Sequence, residues 1–123
     1  MEAWEFEFEW LQIRHLVKES MKQDKLPDLQ AILFLIGIQE VGQLRNKYSK
    51  EEKQDLMHVA VCQLLSQDGY YEFIGQDEDN WPHFKLVKAL PKGTVEEQEN
   101  LLKEKILEYF SRAETPLDLS SNN

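Results

Sequence analysis

The stretch Leu29-Gln-Ala-Ile-Leu-Phe-Leu-Ile-Gly-Ile-Gln-Glu-Val-Gly-Gln-Leu44 decides the fold. Its apolar positions (29, 32 to 36, 38, 41 and 44) go nearly all the way round a helix. A helix that is apolar all round is covered on every side, so the pattern predicts a central rod on which the other elements are laid. Pro27 fits the first turn of that rod, where its missing N–H costs nothing. Gly37 and Gly42 each weaken a helix by about 1 kcal/mol relative to Ala. Their presence implies either close approach of a neighbouring backbone or a kink.

Upstream, the segment from Trp4 is ambiguous by period. Trp4, Phe6, Phe8 and Trp10 alternate with Glu5, Glu7 and Glu9, the signature of a half-buried strand. Phe6, Trp10, Ile13 and Val17 also fall at helical spacing, β-branched residues are absent before Ile13, and nothing breaks the run to Met21. The expectation is a helix from about Ala3 to Lys22, with a strand at Trp4–Phe8 as the alternative.

Downstream, Ser49 and Glu52 have the spacing of a capping box and open a third helix. Asp68-Gly69 closes it, since Gly enters the left-handed conformation at a helix terminus without strain. Two short β-compatible runs follow, Tyr70–Ile74 and His83–Val87, joined by Gly75-Gln-Asp-Glu-Asp-Asn80. That linker is turn-forming and acidic, so a hairpin at about residues 70–88 is predicted, with Pro82 at a strand start or edge. Thr94 and Glu97 form a second capping box, and Leu101, Leu102, Ile106, Tyr109 and Phe110 line one face of a last helix. The fold class expected is therefore mainly α: four helices in a single domain over residues 1–113, with a short β-hairpin between helices 3 and 4. Residues 114–123 lack periodicity and are expected to form a mobile tail.

A chain of 123 residues suits one core, and thirteen aromatics argue against disorder. The net charge of −9 repels phosphate backbones and anionic lipid in the absence of a basic patch. The densest basic stretch, Arg45, Lys47, Lys50 and Lys53, is interleaved with or followed by Glu51, Glu52 and Asp55. A winged-helix DNA binder would read DNA with the helix after Ser49, which carries two lysines against three acids before His58, and its wing tip would be acidic too. Neither nucleic acid nor membrane is expected as a partner. One cysteine, Cys62, fits a reducing compartment, no signal peptide opens the sequence, and a cytoplasmic location is expected. The longest apolar run, Ala31 to Ile38, falls far short of the roughly 20 residues a membrane span needs.

Few constellations carry chemistry. Asp55 and His58 are three apart, His58 and Cys62 four apart, so all three share a helical stripe. Glu40 is an acid on an otherwise apolar helix, and His15 lies on the first helix. Metal sites in bundles draw carboxylates and imidazoles from facing helices, which makes Glu40, Asp55 and His58 the candidate metal ligands, with His15 beside them. The set is incomplete, since bundle two-metal sites repeat a Glu-x-x-His motif and only one Asp-x-x-His occurs. Cys62 stands late in its helix, where the dipole disfavours a thiolate. The acidic tip fails as a calcium loop, because Trp81, Pro82 and Lys88 take the fifth, sixth and twelfth places counted from Asp77. Gly-rich phosphate loops, nucleophile elbows and paired CxxC motifs do not occur. No catalytic residue and no cofactor is implied.

The aromatics remain. Successive strand positions point to opposite faces, so two aromatic clusters on short elements cannot all face inward unless helix one covers the hairpin. Exposed aromatics rimmed by acids describe a protein contact. Tyr71, Phe73, Trp81 and Phe84 are the candidate partner-binding residues, the partner being another protein or a second copy of the chain. The expectation is a non-enzymatic interaction or regulatory module, and the alternative is a metal-binding helical bundle, possibly an enzyme.

The stretches Asp55-Leu-Met-His-Val-Ala-Val-Cys62 and Asp68-Gly-Tyr-Tyr-Glu-Phe-Ile-Gly-Gln-Asp-Glu-Asp-Asn-Trp-Pro-His83 resemble small acidic bacterial proteins of unassigned function. The resemblance covers about a third of the chain and implies no catalytic residue.

Overall fold

Asp28 starts the central helix: its carboxylate accepts the Ala31 N–H at 2.9 Å, which satisfies one of the donors a helix N-terminus leaves open. Pro27 therefore sits one residue before the cap rather than in the first turn, and its carbonyl accepts from Arg14 Nε at 2.8 Å. In the computed structural model, residues 2–42 and 44–112 are described. They form α1 (Ala3–Ser20), α2 (Leu29–Val41), α3 (Lys50–Ser66), β1 (Tyr71–Gln76), β2 (Pro82–Leu86) and α4 (Val95–Arg112). The domain is thus mainly α, four helices with an antiparallel hairpin between the last two, as the sequence led one to expect. The tail at 114–123 lies outside the described residues.

The two glycines of the rod have different jobs. Gly42 adopts φ +79 and its N–H bonds the Ile38 carbonyl at 2.8 Å, ending α2 at Val41 and leaving Leu44 56% exposed. Gly37 lets α3 come close: a Cβ there would lie 2.1 Å from the Leu56 carbonyl oxygen. Close approach, not a kink, is what that glycine provides.

Around α2 the core divides into two clusters. Ile32, Leu33, Leu35 and Ile36 meet Trp10 and Val17 of α1, Ala60 and Leu64 of α3, and Ile106 and Phe110 of α4. Ile38 and Val41 meet Leu56 and Val59, with Phe34, Tyr48, Trp81 and Phe84 packed on the outside. Each such aliphatic side chain contributes about 1.5–3 kcal/mol by leaving water.

α1 is a helix, not a strand. Helical spacing brings Trp10 and Val17 into the core with Ile13 against it, and leaves Trp4 and Phe8 outside, 68% and 54% exposed. Both later capping boxes form. Ser49 Oγ accepts the Glu52 N–H (3.1 Å) while Glu52 accepts the Ser49 N–H (2.8 Å). Thr94 and Glu97 do the same at 3.1 and 2.9 Å. At the end of α3, Gly69 (φ +78) sends its N–H to Ser66 and Tyr70 sends its N–H to Leu65, the crossed pair that turns the chain toward β1. Behind that turn Lys105 is buried, its ammonium 2.8 Å from both Asp68 and Glu108. Burial works against its charge, but the two carboxylates outweigh it and hold its pKa above the ordinary lysine value. Among the described residues, no helix is long and apolar enough to cross a membrane.

Candidate functional site

The hairpin grows from its turn. Gly75 (φ +129) and Asn80 (φ +65) bend the backbone in ways that favour Gly and Asn. Asp77 organises what lies between them. One carboxylate oxygen accepts the N–H of Asp79 (2.9 Å) and of Trp81 (3.0 Å), and the other lies 2.9 Å from His83 Nε2. The His83 bond, with the Trp81 N–H next, holds the Asp77 carboxyl below the usual carboxylate range. The acidic tip is therefore an internally bonded turn.

Register runs Tyr71 to Leu86, Glu72 to Lys85 and Phe73 to Phe84, then shifts so that Gly75 faces His83 and Gln76 faces Pro82. The extra residue at the shift bends β1 and re-aims its side chains. Trp81 and Phe84 are half-buried against the Ile38–Val41–Leu56–Val59 cluster and fasten the hairpin to α2 and α3. Tyr71, also half-buried, lies beside the Cys62 thiol. Phe73 stays 53% exposed, edge-on to Phe84 with ring centroids 5.7 Å apart. Of the four aromatics singled out in the sequence, Tyr71, Trp81 and Phe84 are half-buried, while Phe73, on the same face of the hairpin as Tyr71 and Phe84, stays more exposed.

Sequence reasoning overlooked the aliphatic neighbours. Ile74, Leu86, Val87 and Leu90 are 59%, 50%, 50% and 41% exposed, and with Phe73 they leave apolar side chains exposed on both faces of the hairpin and on the strap behind it. Alternation along each strand marks Ile74 and Val87 as opposite in face to Phe73 and Leu86, a signal that was available. α1 does not cover these side chains; it packs against α4 and leaves its own Trp4, Phe8 and Leu11 exposed.

The proposed metal ligands point in different directions. Glu40, near the end of α2, accepts the Tyr109 hydroxyl at 2.6 Å, and that hydroxyl in turn accepts from Gln39 Nε2 at 3.2 Å. Burial, helped by Glu40, pushes the Tyr109 phenol well above its usual range. Gln39 Oε1 is buried and has no partner among the described residues. Asp55 is exposed beside a hollow lined by Arg45, Tyr48, Glu52, Asp79 and Trp81. His58 is exposed, with Nε2 3.5 Å from Cys62 Sγ, and His15 is exposed on α1. No group of three or more His, Cys, Asp or Glu is placed to hold a metal ion among the described residues. Burial also raises the Cys62 thiol pKa, and the neighbouring Tyr71 hydroxyl offsets only part of that. This direction is opposite to what a nucleophile needs.

The chain was compared with protein-family models, with curated proteins and with solved structures, and none of them matches it.

Proposed function

We propose that this chain is a non-enzymatic protein–protein interaction or regulatory module of the cytoplasm, and that a protein partner docks on its hairpin. One observation carries the reading: five large apolar side chains (Phe73, Ile74, Leu86, Val87 and Leu90) lie 41–59% exposed on one short stretch of chain. Single exposed apolar residues are ordinary on a folded surface, but Phe73 and Leu86 share one face of adjoining strands with Ile74 exposed on the other, and apolar exposure so concentrated at a sheet edge marks a contact. The inner aromatics supply the rigidity such a contact needs, because Trp81 and Phe84 lock the hairpin to the helix pair before any partner arrives. Both strands are edge strands among the described residues, so an extended segment of a partner has backbone groups to pair with. Glu78 and Asp79 at the tip favour a partner with a basic rim.

The test is a photo-crosslinking amino acid placed at Phe73, with Glu51, exposed on the first turn of α3, as control. Protein adducts are expected at position 73 and not at position 51. They should fall when Ile74→Asp or Leu86→Asp is added. Equal adduct yields at the two positions, or yields indifferent to those substitutions, would sink the reading.

A further inference from the structure

α1 carries two apolar stripes, and the core uses one of them. Trp10 and Val17 face inward with Ile13 beside them, while Trp4, Phe8 and Leu11 lie on the other side, 68%, 54% and 41% exposed. His15 continues this outer stripe and is exposed. The spacing of four, three and four residues is that of a heptad seam, the pattern by which one helix packs along another.

Charge along α1 is polarised. Glu2, Glu5, Glu7 and Glu9 occupy its first half with no basic residue among them. Arg14, His15, Lys18 and Lys22 occupy the second half and its end, against Glu19 alone. Such a surface complements itself only when the second helix runs the opposite way. We propose that the outer stripe of α1 is the docking surface for a second copy of this chain, paired antiparallel about a two-fold axis that crosses the helix between residues 9 and 10.

The register follows from the stripe. Phe8 packs on Leu11 of the second copy, and Trp4 stacks on its His15, each contact occurring twice by symmetry. The flanking positions then agree as well: Glu7 comes beside Arg14 of the second copy, and Glu5 beside Gln12. Glu7 is exposed and has no hydrogen-bond or ion-pair partner among the described residues. Arg14 is held by the bond from its Nε to Pro27, so its guanidinium is positioned before pairing. A parallel pair would stack His15, Lys18 and Lys22 on their own copies and set the glutamate-rich halves side by side, which like-charge repulsion opposes. The stripe is short against the roughly 800 Å² per partner of a standard interface, so the dimer is weak, with a dissociation constant of about micromolar or higher. The pairing involves a different element from the hairpin, so either reading can fail without the other.

The experiment uses the full chain with Cys62→Ala, spin-labelled at Glu19→Cys. Dipolar spectroscopy should return an inter-label distance of about 30 Å, from 19 residues of axial offset at about 1.5 Å each and a helix separation of about 10 Å. A parallel pair would give about 15 Å or less. In parallel, sedimentation velocity of the unlabelled chain should show the weight-average coefficient rising with concentration toward a dimer. Leu11→Ser and Glu7→Arg should each weaken association about tenfold. Both positions are exposed, so an unchanged circular dichroism spectrum is expected to accompany the loss. A chain that stays monomeric into the millimolar range overturns the proposal. So does a distance below about 20 Å, or a dimer that neither substitution weakens.

Discussion

Replacing Gly37 by Ala adds one methyl group to the tightest point of the α2–α3 contact. Its carbon would fall 2.1 Å from the Leu56 carbonyl oxygen, 2.6 Å from the carbonyl carbon and 3.0 Å from the Leu56 Cβ. The first two are backbone atoms, so no side chain can swing aside. To restore an ordinary separation the helices must part by about 1 Å, and a gap of that size forfeits roughly a quarter to a half of each van der Waals contact across it. The losses fall on Ile38, Val41, Leu56 and Val59, which pack together beside that point. Overpacking of this kind costs about 3 kcal/mol, the upper end of the usual range, because backbone must move. Better helix propensity returns about 1 kcal/mol, leaving a net loss of about 2 kcal/mol. For a domain of this size the melting temperature should fall by roughly 6–10 °C. Calorimetry and urea denaturation followed by far-ultraviolet circular dichroism measure it. Gly42→Ala serves as the control: no atom lies within 4 Å of the added Cβ, yet φ is +79, so a loss of about 1 kcal/mol is expected. A Gly37→Ala protein as stable as the parent, or one less harmed than Gly42→Ala, refutes the close approach.

Two further outcomes follow from the polar contacts. Tyr109→Phe removes the hydroxyl shared by Glu40 and Gln39 and should cost about 1–2 kcal/mol in urea denaturation, the half-burial of both partners limiting the loss. Because the folded-state pKa of Tyr109 is raised, its contribution is complete below the unfolded value of about 10 and is lost as pH climbs through the folded one. A phenylalanine variant within error of the parent would contradict this. Asp77 has the opposite sign: its lowered pKa gives the tip a contribution present above the unfolded value of about 3.9 and lost as pH falls through the folded value. A carboxyl-resolved NMR titration should place Asp77 below the ordinary aspartate value, with the Trp81 amide following the same curve and His83→Asn moving both upward. An Asp77 that titrates at the ordinary value would remove the basis for the organised turn.

What could be read in the sequence was what local chemistry settles. Ser49 with Glu52 and Thr94 with Glu97 each specify a helix start within four residues, and both helices begin there. Gly69 ends α3 for an equally local reason. Gly37 and Gly42 look alike in sequence, because the difference between a close approach and a helix end depends on what stands opposite, and only α3 supplies that. Pro27 lies just outside the helix instead of in its first turn, since Asp28 directly after it is the better cap. In α1 both periods were present in the letters, and the helix takes Trp10 and Val17 inward at the expense of Trp4 and Phe8. At the hairpin, the aromatics were visible but their direction was not. The shift between Phe73 and Gly75 is a tertiary event, and it re-aims the residues beyond it toward the turn, which the letters do not announce.

The central rod raises a question of angle. A cylinder that is greasy on every side gains nearly the same burial whichever way it is turned about its own axis, so hydrophobicity alone would leave many rotational settings close in energy. Three neighbouring residues remove that degeneracy. Gly37 offers the one flat spot against which the α3 backbone fits, and Gln39 and Glu40, about 200° and 300° further round the helix, must meet the Tyr109 hydroxyl. Turned by even one residue, the rod would present a methyl group or larger to Leu56 and two polar heads to a dry interface. The rod's setting is thus a matter of uniqueness more than of strength, fixed by what is missing on one side and what is polar on another.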